Sequence, residues 1–350
     1  MTSIQQRDAQ SVLAGIDDLL PRIRERAQAT EDLRRLPDET VADLQDVGFF
    51  TLLQPEQWGG LQCDPTLFYE AVRRLASACG STGWVSSIIG VHNWHLALFD
   101  QQAQEEVWGE DPNVRISSSY APMGAGVVTD GGYLVNGSWN WSSGCDHATW
   151  AFLGGPVIKD GRPVDFGSFL IPRSEYRIDD VWHVVGLRGT GSNTVVVKDV
   201  FVPRHRFLSY KAMNDGTAGG YQTNTAPVYK MPWGTMHPTT ISAPIVGMAY
   251  GRTPPTSSIR QAGARGVRRR EGQGRPVRQG PHRRGGQRHR RGVAPAVRQR
   301  GRRVRAAVRR QGDPVRTARP RPPRPGARHR ARDRLHRPAV RGFRGHRVGQ

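Results

Sequence analysis

The sequence predicts an α+β protein in which a helical region precedes an antiparallel β region. Two observations carry this and a third limits its reach. Apolar residues recur at helical spacing through residues 12–98, β-rich runs joined by Asp-Gly turns fill 113–203, and the composition breaks near Gly251. Residues 1–250 hold 19 Lys and Arg against 27 Asp and Glu, whereas 251–350 hold 32 against 3, so the formal net charge of +21 belongs to the tail alone.

The helices come first. Val12, Leu13, Ile16, Leu19, Leu20 and Ile23 form one apolar stripe of a long amphipathic helix. Pro37 opens a second, with Asp38 and Glu39 in the first turn where the helix dipole favours acid, and Gly48 stops it. Asp64 as N-cap and Pro65 at the first helical position start a third, whose Leu67, Phe68, Ala71, Val72 and Leu75 face a core. The apolar run from Thr82 to Leu98 reads as a buried helix.

From about Asn113 the period changes to that of strands. GVVTDGGYLVNGSW is a hairpin turning at Asp130-Gly131, the run from Ala148 to Pro172 is another turning at Asp160-Gly161, and NTVVVKDVFVP closes the set. A helical pattern resumes over His237 to Tyr250. The expected organisation is an N-terminal α-helical domain over 1–112, a central antiparallel β domain over 113–210, the start of a C-terminal helical domain over 211–251, and an Arg/Gly/Pro-rich tail over 252–350.

The tail has no Lys, Trp or Tyr, and only Phe343, Leu335 and Ile259 of its larger apolar types, so it is expected to be disordered. Two readings of it stay open. One is an arginine-rich arm that neutralises phosphates on a polyanion. The other is a wrong-frame translation of a GC-rich gene, favoured by the near-pure Arg, Gly, Pro, Ala, Val and Gln composition. Under one choice of wobble bases, VRQGPHRRGGQRHRRGVAPA at 277–296 becomes FAKVRIAEAASDIDAAWRQL, which has the periodicity of a surface helix.

Cys63, Cys79 and Cys145 are odd in number and lack CxxC spacing, so neither a disulfide framework nor a zinc site is expected. With no leader pattern and no apolar run near the roughly 20 residues a membrane helix needs, the chain reads as soluble and cytoplasmic. GLRGTGS is not a P-loop, because no Lys-Ser/Thr follows, and not a dinucleotide fingerprint, because it leads into a strand. His95, His147 and His183 lack metal-ligand spacing with any carboxylate and read as structural. Arg188 reads as a loop-positioning residue.

The α, β, α order and several segments resemble the acyl-CoA dehydrogenase superfamily of flavoproteins. QPEQWGGL at 54–61 is similar to its post-helix loop, LVNGSWNWSSGC at 134–145 to its flavin-side β segment, and GLRGTGSNTVVVKDVFVP at 186–203 to its Gly-Thr-Gly-Ser strand pair. The aromatic- and serine-rich forms GSTGWVSS, RISSSYAP and NWSSGCDH resemble the two-component, flavin-dependent hydroxylase branch, whose nearest members act on phenolic secosteroids of sterol degradation. The resemblance ends near Gly251. It implies a C-terminal four-helix bundle, the family's usual tetramer core, in place of the arginine-rich tail, so the chain as written is expected to be inactive.

The resemblance also implies reduced flavin (FMNH2, or FADH2) and O2 as co-reactants, a separate NAD(P)H-dependent flavin reductase as partner, and ortho-hydroxylation of a phenolic steroid. On matching positions, Trp84, Ser118, Ser119, Tyr120, Trp141, Ser142 and Ser143 line the isoalloxazine and ribityl phosphate. His92 faces the phenol and assists its deprotonation, and Ser143 donates to the flavin N5 and to the oxygen added beside it. Read from residues alone, Trp84 and Trp141 are more commonly core aromatics and the serines strand-end or turn hydroxyls, and His92 reads as well as a satisfied core histidine. An FAD-dependent acyl-CoA dehydrogenase and a nucleic-acid-binding protein using the tail remain alternatives.

Overall fold

The computed structural model describes residues 8–252. The disordered-tail and wrong-frame expectations, which concern 252–350, lie outside the described residues, apart from the last helical residue at 252.

Six helices come first: α1 Ala9–Glu25, α2 Ala27–Leu33, α3 Asp38–Asp46, α4 Pro65–Ala78, α5 Gly80–Leu96 and α6 Gln101–Trp108. Asp8 caps α1 with its side chain on the Ser11 amide, and Asp64 caps α4 on the Thr66 amide with Pro65 at the first position. Helix α5 is enclosed on nearly every face, with 15 of its 17 residues buried, Ser, Thr, His and Asn among them. Two helices were not expected from the pattern. α2 is separated from α1 at Arg26, and α6 follows α5 after a short turn.

Eight strands follow: β1 Ile116–Ser119, β2 Gly124–Thr129, β3 Gly132–Ser142, β4 Trp150–Lys159, β5 Arg162–Pro172, β6 Arg177–Asp179, β7 Asn193–Pro203 and β8 Phe207–Ser209. They form one sheet in the order β6-β7-β3-β2-β4-β5-β8, with β1 beside β4. Five of the seven pairings are antiparallel, as expected; β1–β4 and β2–β4 are parallel. The two Asp-Gly hairpins occur as read, with Gly131 and Gly161 in the left-handed region. Trp139, Phe169 and Val195 centre the sheet's own core, and the Trp139 indole N–H donates to the Gly154 carbonyl at 2.7 Å.

The short helix α7, Tyr210–Asn214, and a loop lead into α8, Trp233–Arg252, which lies across α4 and α5. The Gly247 position touches the α4 backbone so closely that a Cβ there would stand 2.4 Å from the Arg73 carbonyl oxygen. Pro244 has no N–H to give the Thr240 carbonyl, and Ser87 of α5 supplies the missing donor at 2.6 Å. Among the described residues no helix is long and apolar enough to cross a membrane.

Candidate active site

A cleft of about 340 Å³ opens where α5, the end of β3, the 182–192 loop and α8 converge, at the small end of the range for ligand pockets, roughly 300–1,000 Å³. Its position follows from local backbone chemistry. β3 carries a register shift between Trp139 and Ser142, and Trp141 within it adopts φ 66°, so the indole swings out of the sheet to the mouth of the cleft, 61% exposed. Gly144, at φ 71°, then turns the chain under α5, where a Cβ would lie 2.8 Å from the Val85 side chain.

The walls are apolar: Trp84 and Ile88 from successive turns of α5, Trp141, Trp182 and Leu187 from the sheet side, and Ile241 from α8. The polar groups come from four segments, one of them α8, which carries His237. Ser118, Ser119 and Tyr120 come from β1 and the residue after it, Ser143 from the β3 turn, and Thr190 and Ser192 from the loop entering β7. The Ser143 hydroxyl accepts from the Trp84 indole N–H at 3.1 Å and shares a 2.8 Å hydrogen bond with Ser192, which in turn shares one of 2.7 Å with Thr190.

The loop bearing Thr190 and Ser192 is anchored by the helical region. The Glu31 carboxylate of α2 accepts from the Arg188 amide at 3.0 Å and from the Ser81 hydroxyl at 2.5 Å. Arg188 therefore holds its loop through its backbone, and its side chain is not part of the cleft lining.

Behind the cleft lies an aromatic and imidazole stack. His237 of α8 lines the cleft and stacks on Trp233 at 3.7 Å, edge-on to Tyr120 at 4.8 Å. Tyr120 and His95 Nδ1 are hydrogen-bonded at 2.7 Å, and His95 stacks on Phe152 at 4.6 Å. Burial keeps these imidazoles neutral. The pKa of His92 is lowered to about 4 by desolvation against a weaker opposing hydrogen bond, that of His237 falls to about 3 by desolvation and the nearby His92, and that of His95 drops well below the usual histidine range. Burial also pushes the Tyr120 phenol well above its ordinary value.

Six of the seven residues expected at the flavin line this cleft: Trp84, Ser118, Ser119, Tyr120, Trp141 and Ser143. Ser142 does not. It is fully buried on the opposite side of the β3 bulge from Trp141, and its hydroxyl has no partner among the described residues. His92, expected to face a phenol, is not in the lining either. It stands behind Tyr120, ring centroids 6.2 Å apart, with its Nδ1 proton given to the Ile116 carbonyl at 2.5 Å. The imidazole that reaches the cleft is His237, whose Nε2 has no partner among the described residues. His237, Thr190 and Ser192 were not singled out from sequence, although the last two sit inside the quoted GLRGTGS segment.

The lining suits a flat heteroaromatic group such as flavin: indole and aliphatic side chains to pack against it, with serine and threonine hydroxyls and an imidazole among them.

The acyl-CoA dehydrogenase N-terminal domain matches residues 16–110. The flavin-dependent monooxygenase oxygenase subunit HsaA of Mycobacterium tuberculosis (strain H37Rv) is 89% identical over 251 residues, covering 72% of this chain and 64% of that protein. The HsaA of Rhodococcus jostii (strain RHA1) is 80% identical over 236 residues, or 67% of this chain and 62% of the relative. The crystal structure of the M. tuberculosis HsaA monooxygenase superposes with a TM-score of 0.72 at 84% identity, covering 74% of this chain and 67% of that one. The chain thus spans just under two thirds of the length of these HsaA sequences.

Proposed function

Because this chain belongs to the acyl-CoA dehydrogenase superfamily, in its branch of flavin-dependent oxygenase subunits, we propose that its cleft is the flavin and substrate site of a two-component monooxygenase that hydroxylates a phenolic secosteroid beside its hydroxyl. The observation that carries this reading is the convergence of Trp84, Ser118, Ser119, Tyr120, Trp141 and Ser143 on one cleft, within a stretch 89% identical to an oxygenase subunit. The matched relatives bear hydroxylase and monooxygenase names, which favours oxygenation over the dehydrogenase alternative. The nucleic-acid alternative rests on residues outside those described.

Flavin is the cofactor of this branch; reduced flavin supplies the two electrons with which one atom of O2 enters the ring and the other leaves as water. Trp84, Trp141 and Trp182 of the cleft lining would pack against the flavin and exclude water, which would limit wasteful release of peroxide. His237, held neutral by burial at the cleft wall, would orient the phenol by hydrogen bonding without taking its proton, since an imidazole with a pKa of about 3 is too weak a base to ionise it. His92 supports Tyr120 from behind as a positioning residue. A separate NAD(P)H-dependent reductase supplies the reduced flavin, the protein works in the cytoplasm, and the homotetramer of the family is lost in this chain.

The match ends near Gly251 while the relatives continue, so turnover by the chain as written is expected to be low. Chemically reduced FMN mixed anaerobically with the protein and a phenolic secosteroid, and then exposed to 18O2, should give a catechol carrying one labelled oxygen, above the blank without protein. No labelled product at a flavin concentration that saturates tryptophan quenching, from a chain with its reading frame restored beyond Gly251, refutes the reading.

A further inference from the structure

The four hydrogen bonds beside Ser143 form a chain with two fixed ends. At one end is the Trp84 indole N–H, which can only donate; at the other is the Leu187 carbonyl, which can only accept, 3.0 Å from the Thr190 hydroxyl. Between them lie three hydroxyls and two hydroxyl–hydroxyl contacts, Ser143 to Ser192 at 2.8 Å and Ser192 to Thr190 at 2.7 Å. Each hydroxyl has one proton. Thr190 spends its proton on Leu187, so Ser192 must donate to Thr190, and Ser143 must donate to Ser192. Trp84 then occupies one lone pair of Ser143. What Ser143 presents to the cleft is its other lone pair, with no proton to give.

We propose that Thr190 and Ser192 are positioning residues that fix Ser143 as a hydrogen-bond acceptor toward the cleft, and so set the site to hold reduced flavin, whose N5 carries a proton, in preference to oxidised flavin, whose N5 offers only a lone pair. This rests on the flavin reading above. It reverses the donor role expected for Ser143 from sequence. To offer oxidised flavin a proton, Ser143 must either abandon its 2.8 Å hydrogen bond to Ser192 or turn over together with the other two hydroxyls, Thr190 then releasing Leu187 and setting two oxygens 3.0 Å apart with no proton between them. The Leu187 carbonyl keeps the Trp182 indole N–H at 3.0 Å and the Thr190 amide at 3.2 Å, so the penalty is about one hydroxyl–carbonyl bond, roughly 5- to 30-fold in affinity. A two-component enzyme gains from such a device, because it must take flavin reduced and let it go oxidised.

The test is anaerobic titration of the full chain with reduced and with oxidised FMN, followed by tryptophan quenching. Thr190→Val keeps the shape but removes the acceptor for the Ser192 proton, freeing the chain to reverse. It should tighten oxidised FMN by roughly 5- to 30-fold and leave reduced FMN nearly unchanged. Thr190→Ser, which retains the hydroxyl, should bind like the parent. Ser143→Ala should weaken reduced FMN only. A gain in affinity for one redox state is not something a loosened or misfolded variant produces. If the parent binds both states equally, or Thr190→Val keeps the parent's ratio, the chain does not set the redox preference even though the flavin site stands. If the parent binds neither state, the flavin reading itself falls and this inference with it.

Discussion

Lowering the pH from 7 to 5 should destabilise this protein steeply, and the cause lies in its buried histidines. His92 is held neutral with a pKa of about 4, His147 at about 4 and His237 at about 3, in each case with desolvation the largest cause. In the unfolded chain each titrates near 6.5. Between these values the unfolded state binds protons that the folded state refuses, so stability is retained above about pH 6.5 and lost as pH falls through the window down to the folded pKa. For a histidine at about 4 folded and about 6.5 unfolded, the loss at pH 5 relative to pH 7 is about 2 kcal/mol. Three such groups amount to about 6 kcal/mol, and His95 adds in the same direction, against a typical total stability of about 5–15 kcal/mol. The carboxylates act elsewhere: Glu70, lowered to about 2 by the Arg73 hydrogen bond, begins to matter only below its unfolded pKa of about 4.3. Urea titrations followed by tryptophan fluorescence at pH 7, 6 and 5 should show a midpoint falling at each step. A midpoint unchanged between pH 7 and 5, with collapse only below 4, would show that carboxylates and not these histidines govern acid stability.

Three other perturbations have defined outcomes. Ser87→Ala removes the donor to the Thr240 carbonyl opposite Pro244, and should cost about 1–3 kcal/mol, seen as a Tm lowered by roughly 2–12 °C; an unchanged Tm would mean that another donor serves this carbonyl. Gly144→Ala forces a side chain to φ 71° and into the Val85 methyl, for a loss of about 2–4 kcal/mol in urea unfolding; a loss below 0.5 would show that the turn relaxes at little cost. Glu31→Ala frees the Arg188 amide and the Ser81 hydroxyl, and should raise the Kd for reduced FMN about fivefold or more through the 187–192 loop; an unaltered Kd would show that the loop holds itself.

Legibility varied with how local the determining physics was. α1 and α5 were readable from their apolar patterns, α3 from Pro37 and Gly48, and α4 from both kinds of signal, its apolar face and Pro65. The hairpins were readable because Asp130-Gly131 and Asp160-Gly161 carry their turn chemistry in two residues. α2 and α6 were not: AQATEDL buries only Thr30, and α6 relies on Gln104, whose amide donates to the Phe99 carbonyl, for part of its buried face. The serine-rich β1 has no β-rich pattern and is a strand because β4 lies beside it. At the site, the aromatic and serine positions came from family resemblance, and the β3 bulge separated Ser142 from its neighbours in a way that a motif cannot express. His92 and His237 differ in sequence only as two lone histidines. Which of them meets the cleft depends on α8 folding back over α5, a contact spanning about 150 residues of chain.

The Ser87 hydrogen bond to α8 has a consequence for motion. A packed helix can usually creep about its axis, each residue of slip turning it by about 100° and advancing it by about 1.5 Å. α8 can creep only by presenting Ser87 with a carbonyl already bonded within the helix while abandoning the one Pro244 leaves open, so the rotation is indexed at a single notch. His237 lies just under one turn from Thr240, and its bearing on the cleft is set by that notch. A proline and a serine on different helices, neither in the cleft lining, thereby aim an imidazole.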